Sequence, residues 1–249
     1  MLLAVDTSTP QIGLALYDGA QVLAESLWTS KARHTVELAP AAADMLSRAG
    51  FKIDQIKALG VAIGPGSFTS LRVGLSFIKG LALALSLPTI GVNTLDVVAA
   101  SQPGTGLPLI CLLPAGRGRL AIGWYSPEYK TPAPDSAPLT TFFWQADGSP
   151  SIMTAEALCE AITQDSVICG DLSAAERLIL KKNQHIQLVS PALSVRRPAI
   201  LAELAYTRWQ AGSVDDAASL APLYLHLAEP IPDFPTAKAM SDSHGLNLT

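Results

Sequence analysis

The sequence predicts an α/β protein built on mixed sheets. Three observations carry that reading: an apolar strand at the start, a hairpin directly after it, and a buried strand that passes through a glycine turn into an apolar helix. Leu2-Leu3-Ala4-Val5 is a continuous apolar run ending at Asp6, the pattern of a strand covered on both faces. Ile12 to Tyr17 and Val22 to Trp28 flank Asp18-Gly19, a dipeptide favoured in tight hairpin turns, so the chain opens with three consecutive strands. A helix follows from about Ala32 to Ala49, and Pro40 should bend it by removing one backbone hydrogen bond. Ala58 to Ile63 then reads as a strand, and Gly64-Pro65-Gly66 as the turn from which free N–H groups converge at the start of the next helix.

Gln102-Pro103-Gly104-Thr105-Gly106 is a linker-like turn cluster that closes a first unit, residues 1–103. A second unit, 104–228, starts with a strand pair around Leu107 to Leu113 and Arg119 to Tyr125. Pro127, Pro132, Pro134 and Pro138 mark the stretch from Ser126 to Pro138 as a loop. Thr154 caps a helix through Ile162, Val167-Ile168-Cys169 is a short strand, and helices cover Ser173 to Lys181 and Pro198 to Ala211. From Glu229 on, Pro230, Pro232 and Pro235 precede a polar end, so 229–249 reads as a mobile tail.

Of the 249 residues, 49% are hydrophobic and 15% charged, against about 25% charged in typical soluble domains. Apolar surface is thus left over for a partner. A net charge of −4 argues against a stand-alone RNA binder, and the pairs Lys181-Lys182 and Arg196-Arg197 are too short to form a basic stripe. Cys111, Cys159 and Cys169 are odd in number and lack metal-ligand spacing, which suits buried reduced thiols and a cytoplasmic protein. The N-terminus has no basic segment, and Arg72 and Lys79 interrupt the longest apolar stretch, so neither a signal peptide nor a membrane span is expected.

Two groups of residues are candidates for function. Asp6-Thr7-Ser8 offers a carboxylate for a hydrated metal and hydroxyls for phosphate oxygens, and Gly64, Gly66 and Ser67 offer backbone N–H groups; together they form a candidate nucleotide site. The second group is a docking face. Leu71, Val73, Leu75, Phe77, Ile78, Leu81 and Leu85 spread over roughly 200° of the helix after Gly66, about twice the usual apolar stripe, more than one sheet covers. With the preceding helix this gives a face of Val36, Ala39, Ala43, Val73, Leu75, Phe77, Ile78 and Leu81. The competing reading buries the arc between the chain's own sheet and the neighbouring helix. No metal site is expected: one turn beyond His34 stands Leu38, His34 with Glu37 supplies too few ligands, and His185, His226 and His244 have no ligand spacing with it.

The order of elements resembles the actin, heat-shock-ATPase and sugar-kinase (ASKHA) superfamily. DTST at Asp6 to Thr9, RHTVELAP at Arg33 to Pro40, GPGSFTSLRVG at Gly64 to Gly74, KGLALAL at Lys79 to Leu85 and PLYL at Pro222 to Leu225 look like the bacterial TsaB (YeaZ) family. The resemblance is dense over residues 1–100 and thins to scattered matches beyond. It implies two related α/β halves with mixed sheets, the second reduced. It further implies a noncatalytic subunit in making threonylcarbamoyladenosine in tRNA, with no catalytic residues of its own. Its partners would be a TsaD-type catalytic paralogue, a TsaE-type ATPase, tRNA through the complex, and a second copy when alone.

Kinases of the superfamily need a second phosphate hairpin with an acidic residue, and TsaB-like sequences commonly carry Asp where this chain has Pro114. No cofactor is therefore required by this chain, which leaves room only for weak ATP, ADP or Mg binding. Arg117 and Arg119 in that hairpin either meet phosphate or are solvated. The rival classes are an ATP-dependent kinase or phosphotransferase of the same fold, weakened by Pro114, and a metallopeptidase-like hydrolase, opposed by Leu38 and by the lack of a G-x-S-x-G or H-E-x-x-H motif.

Overall fold

A computed structural model describes residues 1–31, 33–130 and 141–225. The first half is a five-stranded sheet made of β1 (Leu2–Asp6), β2 (Gln11–Tyr17), β3 (Val22–Thr29), β4 (Ala58–Gly64) and β5 (Thr89–Asn93), in the order β3-β2-β1-β4-β5. β1 lies at its centre, antiparallel to β2 and parallel to β4, and every residue of it is buried. Alternation sorts its side chains. Leu3 and Val5 face α1 (His34–Arg48) and α2 (Phe68–Leu85), while Leu2 and Ala4 face the opposite layer.

That opposite layer contains α3 (Thr94–Ala100) and α6 (Pro198–Gln210). Leu201, Ala202 and Ala205 of α6 are fully buried against Leu2, Ala4, Ala15 and Ala58. The small alanines let α6 lie close to the sheet. Val97 of α3 joins this core, whereas Leu95, Val98 and Ala99 join the core of the second half, so α3 is shared between the halves.

The second half is a sheet in the order β11-β10-β6-β7-β8, built from β6 (Leu109–Pro114), β7 (Leu120–Lys130), β8 (Thr141–Ala146), β10 (Ser166–Gly170) and β11 (Ile186–Leu188), with β9 (Ser151–Met153) paired to β7. β10 runs parallel to β6 and β11, and β6, β7 and β8 run antiparallel. α4 (Ala155–Ala161) and α5 (Ala174–Leu180) cover its outer face through Leu158 and Leu180. The two mixed-sheet halves match the predicted class.

The expected cap at Thr154 is in place, and Ser67 and Ser173 act in the same way: each of the three accepts a backbone N–H at the start of α4, α2 and α5 respectively. α1 continues through Pro40, on its exposed side. α2 is long and apolar enough to cross a membrane by length and composition alone, yet Leu71, Leu75, Ile78 and Ala82 on one side of it are buried.

Two expectations need correction. β7 extends to Lys130 and includes Pro127, placed in the expected loop. Pairing with β6 ends at Tyr125, so Pro127 has only β8 beside it, and its missing N–H costs no ladder bond on the other side. Residues 104–228 are also not one continuous half: α6 packs on the first sheet, Asp215 donates its N–H to the Thr89 carbonyl, and Leu223 donates to Ile63. Ala32, Pro132, Pro134, Pro138, His226, His244 and the tail 229–249 lie outside the described residues.

Candidate functional site

The strand ends of both sheets meet in one cleft: β1 and β4 deliver Asp6 and Gly64, and β6 and β10 deliver Pro114 and Asp171. The carboxyl ends of parallel strands are where open α/β architectures gather ligand chemistry. A cavity of about 430 Å³ lies here, lined by Ser8, Gly66, Ser67, Gly116 and Tyr224 among others.

The turn after β1 is held almost wholly from within. The Ser8 N–H donates to Asp6 Oδ1 at 2.8 Å, joined by the Ser8 hydroxyl. The Thr7 hydroxyl donates to the Ser70 carbonyl of α2 at 2.7 Å, and the Ser67 N–H donates to the Ser8 carbonyl at 2.7 Å. At Gly66 a Cβ would lie 2.1 Å from that same Ser8 oxygen. Close approach of two backbones therefore demands glycine here, and no positive φ is involved. Gly64 does have a positive φ, 104°, and its N–H donates to Thr94 Oγ1 at 3.0 Å, away from the cavity. Of the six candidate residues, Ser8, Gly66 and Ser67 line the cavity, while Asp6, Thr7 and Gly64 are committed to internal bonds.

Asp6 is engaged by a residue to which sequence reasoning assigned no site role. Arg196, read only as half of a pair too short for a basic stripe, is 1% exposed and donates from Nε to Asp6 Oδ2. Its Nη1 donates to Asp171 Oδ2 at 2.9 Å and its Nη2 to Thr9 Oγ1 at 2.8 Å. Burial alone pulls the pKa of Arg196 down, but Asp6 and Asp171 outweigh it and hold the guanidinium above its ordinary value. No local signal in the sequence marks Arg196, because its partners stand 190, 25 and 187 residues away. Arg197 does remain outside, paired with Glu25.

His34 is buried at the start of α1, with Nε2 3.1 Å from the Thr9 carbonyl, so it tethers the helix to the same turn. In the second hairpin, Pro114 ends β6 and Gly116-Arg117-Gly118 turn with positive φ at all three positions, leaving Arg117 exposed. His185 bonds Asp165 on the surface. Among the described residues no three His, Cys, Asp or Glu side chains come together as metal ligands would. Cys111 and Cys169 are buried opposite each other on β6 and β10 as free thiols, and burial pushes the Cys111 thiol well up.

The proposed docking face is split by the fold. Leu75 and Ile78 are 3% and 0% exposed in the core beneath α2, which removes them from any outer face. Val36, Ala39 and Ala43 are exposed, and Val73, Phe77 and Leu81 sit half-buried at the margin. Between α1 and α2 lies a groove of about 530 Å³ lined by Ala39, Phe68, Arg72, Val73 and Phe77. Phe68 also lines the cleft cavity. There its ring lies 4.9 Å from that of Tyr224, and the Arg72 guanidinium stands 3.6 Å over it.

Residues 21–229 match the family model "TsaD: tRNA N6-adenosine threonylcarbamoyltransferase". The chain is 39% identical over 98 residues to "tRNA threonylcarbamoyladenosine biosynthesis protein TsaB" of Escherichia coli, a match covering 39% of this chain and 42% of that protein. It is 33% identical over 129 residues to the protein of the same name from Bacillus subtilis, covering 52% and 56%. The chain thus spans about half the length of the curated relatives it matches. Among solved structures it resembles YeaZ from Pseudomonas aeruginosa, with a TM-score of 0.68, 23% identity and coverage of 89% of this chain and 99% of that one.

Proposed function

The chain belongs to the family of TsaD, tRNA N6-adenosine threonylcarbamoyltransferase, and to its TsaB (YeaZ) branch; from that membership we propose that it is a noncatalytic partner subunit in making threonylcarbamoyladenosine in tRNA. The observation that carries the reading is the α1–α2 face. Val36 is 57% and Phe68 50% exposed, and between these helices the groove at Val73 and Phe77 leaves apolar surface that no element of this chain covers among the described residues. A helical partner of like architecture, a TsaD-type catalytic paralogue, fits such a face, and a second copy takes its place when the paralogue is absent.

The chemistry belongs to that partner. Here Asp6 is engaged by Arg196 and His34 by a backbone carbonyl, so the residues that would handle a metal or a phosphate are occupied with structure. A TsaE-type ATPase joins the pair, tRNA contact is shared with the paralogue, and the assembly works in the cytoplasm.

The test is reconstitution. Adenosine in tRNA should be modified from threonylcarbamoyl-adenylate only when this chain and the paralogue are both present. Phe77→Glu and Val73→Glu should lower affinity for the paralogue at least about tenfold, the effect of burying an unpaired charge, while the isolated variants melt with the parent. Product formed by this chain alone, or full affinity in both variants, overturns the proposal.

A further inference from the structure

We propose that Arg196 is the built-in cation of this cleft: its guanidinium takes the place between the strand ends of the two sheets that a hydrated divalent ion would take, and it clasps the halves together without nucleotide or metal. The inference concerns this chain alone and stands whichever partner it serves.

Asp6 ends β1 in the first sheet and Asp171 follows β10 in the second, so the fold brings two carboxylates from separate sheets to one point. Alone, two such carboxylates repel, and one of them would be driven to take up a proton. Two carboxylates with the hydroxyls of Ser8 and Thr9 make an all-oxygen set, the chemistry that suits a hard divalent cation. In this chain the set closes instead on three nitrogens of one guanidinium, directed to Asp6, Asp171 and Thr9. The planar fork fixes those three directions at once, which a lysine ammonium does not do.

The other oxygen of the carboxylate is also engaged. Asp6 Oδ1 takes both the Ser8 N–H and hydroxyl, so both oxygens of Asp6 are already bonded within the protein. The side chains of Arg196 and Asp6 are 1% and 3% exposed, so their contact is shielded from solvent ions, and only Asp171, 27% exposed, faces water. Arg196 stands just before Arg197, the N-cap of α6, the helix that covers the first sheet. The clasp therefore joins three bodies: the β1 turn, the β10 turn and the start of α6. An ion that arrives with nucleotide can open and close such a cleft as it comes and goes, whereas a tethered guanidinium holds it in one state.

The experiment uses the full chain, stripped of metal with chelator, and Mn²⁺ alone as the probe. The parent should bind no Mn²⁺ in the cleft, and millimolar Mn²⁺ should leave its melting temperature unchanged. Arg196→Met exposes two carboxylates to each other and should melt roughly 10 °C lower, as expected when one member of a buried charge network is removed. It should then bind Mn²⁺ stoichiometrically and recover at least half of the loss. Asp6→Asn and Asp171→Asn should each lower the melting temperature of the parent but raise that of Arg196→Met, a reversal of sign that also serves if the single variant does not fold. Equal Mn²⁺ binding by parent and variant overturns the proposal. So does a loss that Mn²⁺ does not recover, or carboxylate substitutions that destabilise both backgrounds alike.

Discussion

At Gly66 the packing leaves no room for a single methyl group. The Ser8 carbonyl that a Cβ would strike at 2.1 Å is itself the acceptor of the Ser67 N–H, so neither backbone can yield without breaking that bond. Gly66→Ala is expected to cost about 3 kcal/mol or more, read by chemical denaturation, since overpacking against backbone has no flexible side chain to absorb it. Gly80, inside α2 with nothing within 4 Å of its would-be Cβ, is the control: Gly80→Ala should stabilise by roughly 0.5–1 kcal/mol through helix propensity and chain entropy. Asp96 gives a pH-dependent case. Burial raises its pKa above the ordinary 3.8, against the opposing pull of the Tyr125 hydroxyl bonded to it. The folded state thus holds this proton more tightly than the unfolded one, so the contribution of Asp96 is complete below the ordinary value and is lost as pH rises through the raised one. Asp96→Asn keeps an acceptor for Tyr125 and should melt higher than the parent at pH 7. That advantage should shrink as pH falls toward the ordinary aspartate value, and an advantage that grew on acidification would contradict the assignment.

At the scale of elements, α2 shows what periodicity reveals and what it withholds. Its wide apolar arc announced a helix with more than one covered side, and the structure gives Leu71, Leu75 and Ile78 to the sheet while leaving Leu83 86% exposed. Leu75→Ala should therefore cost about 2–5 kcal/mol, and Leu83→Ala less than about 0.5 kcal/mol, by denaturant unfolding. The division was not legible because it depends on how α1 lies beside α2, which no spacing within one helix encodes. The capped start of α4 was legible from Thr154, whose side chain acts within three residues, and Ser67 and Ser173 carry the same local signal. α3 was missed for the opposite reason: it is 7 residues long and begins directly after β5 with no loop, capped by Asn93, the last residue of that strand. β7 was cut short at Pro127 because the end of its pairing with β6 is a property of the neighbour.

At the scale of the whole molecule, the first sheet is completed by the end of the described chain. α6 covers one face of it, Arg208 and Asp215 bond Gly91 of β5, and Leu223 reaches the end of β4. This is where the sequence misled most, since a turn cluster at Pro103 marks a local boundary and carries no information about a segment that returns a hundred residues later. It also explains why PLYL, distant from every other matching word, belongs with them: Leu223 and Tyr224 are part of the cleft wall. A fragment of residues 1–103 should expose Leu2, Ala4 and Ala15 and fail to fold. Residues 196–225 attached through a flexible linker should restore a cooperative melt, measured by circular dichroism. A stable, cooperative fragment 1–103 would show that α6 is dispensable to this sheet.

The return of α6 also sets an order in time. A ribosome adding roughly 5–20 residues per second takes on the order of 5–20 s to make the stretch between Pro103 and Pro198. Throughout that interval the nascent first sheet has its strands but lacks the helix that seals them. Its open face is a surface to which any other apolar segment can stick, so the maturation of the opening half waits on translation of the closing quarter.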